Sequence, residues 1–197
     1  MAKFETFQNN FAQALNGVFE LYVPLLLAVE AGYQNLVGDS GNYNSLGQRV
    51  GTNFGISAKT YESWIGRPPS IADMKAITKP VALQIYRKWF WDEIHADQIN
   101  NQSVANLIVD HNVNGGYKVI EKAVQRVLNE KFNKGLTVDG VFGPKTLAAI
   151  NSVDQQILFD GIVAERRKIY NQIGGEFLNG WLNRLSEFTF TAEKKKK

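Results

Sequence analysis

The feature that most constrains this chain is an abrupt change of character at residue 30. Upstream lies its most apolar run, Leu21-Tyr-Val-Pro-Leu-Leu-Leu-Ala-Val29. Downstream lies a proline-free segment, Gly32 to Gly55, that holds six of the 17 glycines. The apolar run predicts a buried helix from about Leu21 to Ala31, with Pro24 in its first turn, where a missing N–H is tolerated. The glycines predict positive-φ turns and short strands in place of a continued helix. Thr52-Asn-Phe-Gly-Ile-Ser57 reads as the return strand of that turn-rich region. The expected fold is therefore mainly α, with one small β element set directly after a buried helix.

Glu30 stands at the junction. A carboxylate at the C-terminal end of a buried helix meets low dielectric and the negative end of the helix dipole. Both disfavour its charged form, and a carboxylic acid that keeps its proton near neutral pH can serve as a general acid. The plainer reading is a glutamate solvated at a helix end. Asp39 follows nine positions later, inside Gly38-Asp-Ser-Gly-Asn-Tyr-Asn-Ser45. An aspartate there can equally bond its own backbone in a turn. The order of helix, Glu, turn with Asp and strand with Thr can place two carboxylates and a hydroxyl across a cleft.

The remainder patterns as helices. Phe4, Phe7, Phe11 and Leu15 share a face over residues 4–16. Pro80 opens a helix that runs to Asp92, after the Arg67-Pro-Pro-Ser70 loop in which Ser70 caps a short helix. A further helix spans 100–114, capped by Asn100, Asn101 or Ser103. Val119 to Leu128 carries apolar residues at helical spacing, and Pro144 opens a short helix after the Gly135–Gly143 turn segment. Leu158, Ile162, Glu165, Ile169 and Ile173 line a long last helix, with Glu165 either paired or buried by its stem. Gly115-Gly116 breaks the pattern and marks the expected boundary between residues 1–115 and 116–192. Residues 193–197 form a lysine-rich tail. The absence of a Pro/Ser-rich linker implies that the two parts pack together.

Composition removes several classes of function. With 197 residues and 44% hydrophobic content, the chain can bury a substantial core. Without cysteine it has neither a disulfide framework nor a thiolate metal site. The net charge of +3 is carried by the Glu193-Lys-Lys-Lys-Lys197 tail, which leaves 18 basic and 18 acidic residues elsewhere. Nucleic acid is therefore not an expected partner. The first 17 residues contain no apolar stretch of the signal-peptide kind, and Val18–Val29 is too short to span a bilayer. No stable membrane insertion is expected.

Several motifs, taken in order, resemble the glycoside hydrolase 108 family. They begin with Glu30-Ala-Gly-Tyr33, where the family usually has Glu-Gly-Gly-Tyr, and continue with Asp39-Ser-Gly-Asn42 and Thr52-Asn-Phe-Gly-Ile-Ser57. Downstream follow Trp89-Phe-Trp-Asp92, Asp110-His-Asn-Val-Asn114-Gly, and Gly180-Trp-Leu-Asn-Arg184. Asp139-Gly-Val-Phe-Gly-Pro-Lys-Thr146 is similar to the turn-and-helix signature of peptidoglycan-binding modules. Members of that family are N-acetylmuramidases, often described as secretion activators or phage-type endolysins. The resemblance implies a lysozyme-like catalytic part with a small β-hairpin near the active site, followed by a helical peptidoglycan-binding part.

It implies hydrolysis of the β-1,4 bond between N-acetylmuramic acid and N-acetylglucosamine. Glu30 would be the general acid and Asp39 the group that orients or deprotonates water. Thr52 is the helper hydroxyl, with Ser45, six residues after Asp39, as the alternative. Tyr33, Asn53, Trp91, Asp110, Asn114 and Trp181 are the candidate substrate-binding residues. The partner implied is the peptidoglycan glycan strand, engaged by a monomer. No cofactor and no metal are implied. A protein made in the cytoplasm without a signal would reach the wall through a holin or a non-classical route.

Three other readings stay open. A lytic transglycosylase would use Glu30 alone. A zinc amidase would need His95 and His111, the only histidines, together with a carboxylate. A wall-binding or secretion-accessory protein would need no chemistry at all.

Overall fold

The computed structural model describes residues 17–27, 32–116 and 118–192. The helix expected over 4–16 and the stretch Ala28–Ala31, Glu30 included, lie outside the described residues. Of those described, 22–27 and 32–89 form one compact unit. Residues 17–21, 90–116 and 118–192 form another. The fold is mainly α and lysozyme-like, with a single two-stranded antiparallel sheet among the described residues. Among the same residues, no helix is long and apolar enough to cross a membrane.

Helix α1, Phe19–Leu27, is the apolar helix of the sequence reading. Pro24 lies in its sixth position, not in its first turn, so the helix forgoes one internal hydrogen bond. In the first unit, β1 (Tyr33–Gln34) and β2 (Thr52–Asn53) pair with Tyr33 opposite Asn53 and Gln34 opposite Thr52. The pairing depends on Gly51. Its φ is +88°, and a Cβ there would fall 2.6 Å from the Gln34 carbonyl oxygen and 2.6 Å from the Tyr33 ring.

Helix α2, Ala58–Ile65, follows at once and was not foreseen. The Ser57 hydroxyl caps it by accepting from Thr60 N–H, and Gly66 closes it in the left-handed conformation. Helix α3, Ile71–Lys75, carries the expected Ser70 cap, completed as a capping box by Asp73. Helix α4, Lys79–Tyr86, starts with Pro80 in its first turn as expected. It then widens into a π turn over Arg87–Trp91. Tyr22, Leu26, Ile56, Met74 and Ile85 are buried in this unit.

The second unit is a helical bundle. Helix α5, Gln102–Gly115, is capped by Asn101, whose side chain accepts from Val104 N–H. It packs with α6 (Val119–Phe132) and α8 (Gln155–Ile173), and α6 and α8 pack on each other. The contact between α6 and α8 is close because residue 161 is glycine. A Cβ there would lie 2.6 Å from Val127 Cγ1. Helix α7, Pro144–Asn151, is the short helix expected at Pro144. The long helix α8 is not the last. Helix α9, Leu178–Ser186, packs against it and carries Trp181 and Arg184. The buried stripe of α8 runs through Leu158, Ile162, Arg166 and Tyr170, whereas Ile173 is exposed. Glu165 is paired, with Arg126 at 3.4 Å and Lys168 at 2.6 Å.

Candidate active site

The turn region of the first unit builds a fixed carboxylate. Asp39 caps a 3-10 turn, Ser40–Asn42, with Oδ1 accepting from Gly41 N–H at 2.9 Å. Its other oxygen accepts from Gln34 Nε2 at 2.7 Å. Gln34 can present only that end, because its Oε1 already accepts from Asn42 Nδ2 and from Leu36 N–H. Asn42 is buried, and its carbonyl receives Val50 and Gly51 N–H across the loop. The half-exposed carboxylate is thus held from both sides by groups that are themselves held. Two carboxylate oxygens carry about four lone-pair sites, so each retains capacity to accept from a water.

Thr52 belongs to the same cluster. It faces Gln34 in the strand register, and a Cβ placed on Gly41 would lie 3.2 Å from Asp39 Oδ1 and 3.6 Å from Thr52 Cγ2. Asp39 and Thr52 therefore flank one glycine. Ser45, the alternative hydroxyl, is directed elsewhere. Its Oγ donates to Glu62 Oε1 and its N–H donates to Glu62 Oε2, which holds the Glu62 carboxyl below its ordinary pKa. Thr52, itself buried, turns its Cγ2 methyl toward the same glycine as Asp39, whereas Ser45 is bonded to Glu62.

Family models match both parts of this architecture. The one described as Glycosyl hydrolase 108 covers residues 23–116, and the one described as Predicted Peptidoglycan domain covers residues 121–186. Among solved structures, the chain is similar to that described as the structure of Brucella abortus SagA. The two share 30% identity over 86% of this chain and 90% of that one, with a TM-score of 0.73. The chain belongs to the glycosyl hydrolase 108 family. It is accordingly a glycoside hydrolase, lysozyme-like in kind, directed at peptidoglycan. A search among curated proteins finds no match.

The other candidate residues of this hydrolase fall into two groups. Tyr33 is half-buried. Its hydroxyl donates to the Val50 carbonyl at 3.1 Å, and Lys75 Nζ stands 5.1 Å from its ring centre. Asn53, expected to bind substrate, is buried. It donates Nδ2 to the Met74 carbonyl at 2.8 Å, at the C-terminal end of α3. Trp91, expected as a sugar platform, has no exposed surface. Its indole N–H donates to Asp97 at 2.5 Å, and Phe19 packs edge-on against its ring. Neither side chain presents a free face to a sugar.

Asp110 is likewise turned inward. Its side chain is wholly buried, with Oδ2 2.8 Å from Arg166 and Oδ1 accepting from Arg184 Nε at 2.8 Å. Arg166 is itself wholly buried, donating also to the Leu107 carbonyl and the Tyr170 hydroxyl. Asn114 is exposed and donates to the Asp110 carbonyl at 2.8 Å, the arrangement of a helix junction. Trp181 is half-buried, 5.6 Å from the Tyr170 ring and 6.3 Å from that of Phe177. The Asp110 and Arg184 motifs of the family thus meet as one buried ion cluster.

His111 is buried against Tyr170, and burial, then the charge of Arg166, push its pKa down to about 3. Among the described residues, no group of three His, Cys, Asp or Glu side chains is placed to hold a metal ion.

Two residues that carry these arrangements escaped sequence reasoning. Gln34 was missed because its importance lies in the strand register. Arg166 was missed although its position four residues after Ile162, on the buried stripe, was a usable signal.

Proposed function

We propose that this chain is an N-acetylmuramidase that cleaves the β-1,4 bond between N-acetylmuramic acid and N-acetylglucosamine. The observation that carries the proposal is the Asp39 carboxylate, clamped by Gln34 and Gly41 N–H with Thr52 at its side. It lies nine residues after Glu30, in the segment matched by the hydrolase family. In this mechanism Glu30 protonates the glycosidic oxygen. Asp39 aligns or deprotonates the attacking water, and the Thr52 hydroxyl holds that water in place. Carboxyl groups roughly 6.5–9.5 Å apart invert the anomeric centre, and groups about 5–5.5 Å apart retain it. The part from α6 onward holds the enzyme on the wall.

Mass spectrometry of digested peptidoglycan tests the bond and the reaction together. A muramidase releases reducing N-acetylmuramic acid ends, whereas a lytic transglycosylase leaves 1,6-anhydro ends. Glu30→Gln keeps the shape of the side chain and removes its proton donor. Clearing of cell walls should then fall by at least about a hundredfold. Full activity in a folded Glu30→Gln protein overturns the assignment. Asp39→Asn should lower the rate while leaving retention on the wall intact.

A further inference from the structure

The second unit contains a cavity of about 940 Å³ between the end of α6 and the start of α7. Its volume lies at the upper end of the usual range for ligand sites, roughly 300–1,000 Å³. Leu136, Val141, Pro144 and Ala148 give it apolar walls, and Lys134 and Lys145 stand on its lining. The loop that forms it is held rigidly. Gln125, buried on α6, donates Nε2 to Asp139 Oδ1 at 2.8 Å and to the Val141 carbonyl at 3.1 Å. It also accepts from Gly140 N–H at 2.9 Å. Asn129 clamps Leu136 through both its N–H and its carbonyl, at 2.7 and 2.8 Å. A cavity fixed in this way loses little entropy when a ligand enters.

The lining discriminates between the two components of peptidoglycan. Sugar rings are held by aromatic faces, and none of the lining residues is aromatic. The charge on the lining is two lysines against Asp139, whose Oδ1 is already taken by Gln125 and Val141 N–H. In the polymer, the lactyl carboxyl of each substituted muramic acid is consumed in its amide bond to the peptide. The glycan strand is therefore neutral where it carries peptide. The free carboxylates belong to the stem peptides, whose alanine residues also supply small methyl groups.

We propose that this cavity binds the stem peptide of peptidoglycan, with a free carboxylate at Lys134 and Lys145 and an alanine methyl against Leu136, Val141 and Pro144. The proposal rests on the reading that this part of the chain holds the wall, and it names the component held. Peptide recognition would direct the enzyme to glycan that still carries its cross-linking arms.

The test uses the full chain with Glu30→Gln, so that the polymer survives. Sacculi free of teichoic acid are compared with the same sacculi stripped of peptide by an amidase. A soluble stem tetrapeptide ending in D-alanine is titrated into isotope-labelled protein. The proposal expects at least tenfold greater retention on intact than on stripped polymer, and shift changes centred on residues 134–146. It expects Lys134→Glu with Lys145→Glu to lower retention on intact sacculi at least tenfold at an unchanged melting temperature. Equal retention on both polymers, or shifts elsewhere, overturns the peptide proposal and leaves the wall-holding role standing. No retention on either polymer overturns both. Should the double variant fail to fold, the shift map of the parent protein decides the question alone.

Discussion

Replacement of Asp110 by Asn is the sharpest test of how this chain is held together. The carboxylate joins three helices, since Asp110 lies on α5, Arg166 on α8 and Arg184 on α9. Neither Asp110 nor Arg166 has any side-chain exposure, and Arg184 has 14%. The amide is isosteric, so packing is kept and only the negative charge is lost. Two guanidinium groups then lose the carboxylate that Asp110 set between them. Removing one partner of a buried pair costs about 3–5 kcal/mol. At roughly 2–4 °C per kcal/mol for a chain of this size, the melting temperature should fall by about 6–20 °C. Thermal and urea unfolding measure this directly. A double-mutant cycle with Arg184→Met should show a smaller cost for Arg184→Met in the Asp110→Asn background. Replacing all three charged residues with apolar ones of matched volume should recover most of the loss. A melting temperature within about 2 °C of the parent would refute the reasoning. So would an Asp110→Asn protein of full stability that fails to cleave soluble fragments, since that places Asp110 at the substrate.

Four further outcomes are expected. Thr52→Ala should slow cleavage more than Ser45→Ala, because Thr52 and Asp39 flank Gly41 while Ser45 is bound to Glu62; turnover measured on cell walls gives the order, and the reverse order sinks the Thr52 role. His111 binds its proton at about 3 when folded and near 6.5 when unfolded, so the unfolded chain takes up the proton first and stability falls as pH drops from about 6.5 toward 3. Melting curves between pH 7 and 5 should show this loss, and His111→Gln should flatten it. Gly161→Ala should destabilise despite a helix-propensity gain of about 1 kcal/mol, because its methyl meets buried Val127, and Val127→Ala should restore the loss. A chain cut after Gly116 should aggregate or unfold over residues 102–116, as read by amide exchange, because the cut removes Arg166, Arg184 and the helices that cover α5.

What was legible in the sequence was what local chemistry decides. Ser70, Asn101, Pro80 and Pro144 mark helix starts because a cap or a fixed φ acts within one turn, and the structure puts each at a start. The glycine-rich region was legible as turns and short strands for the same reason. Helix α2 was missed although Ser57 and Gly66 bracket it, because the Thr52–Ser57 stretch was read as one continuous strand. Pro24 was misplaced because α1 starts at Phe19, which is buried, ahead of the start that the proline suggests. The proximity of Asp39 to Thr52, thirteen positions apart, needed the register of β1 on β2. That register sets Thr52 opposite Gln34, while Ser45 is bonded to Glu62. Trp91, Asn53 and Asp110, read from the sequence as candidates for substrate binding, are buried. An aromatic ring, an amide and a carboxylate within family motifs serve the interior as readily as a ligand, and here their polar atoms are bonded inside the fold.

The family matches and the physical packing divide the chain at different places, and the difference has a cause. The hydrolase match extends to residue 116, yet its last helix, α5, packs on α6 and α8 in the second compact unit. From Gln102 to Asn112 every residue of α5 is buried, polar ones included. A helix buried on all sides must be covered from all sides, and within this unit α6 and α8 supply that cover. The charges follow the same logic. Asp110 lies in the segment matched as hydrolase, and both of its arginines lie in the segment matched as peptidoglycan domain. A buried carboxylate is tolerable only where its partners are always present. The segment matched as peptidoglycan domain is therefore also part of the packing that buries the last helix of the hydrolase segment, and the Asp110–Arg166–Arg184 cluster joins the two segments.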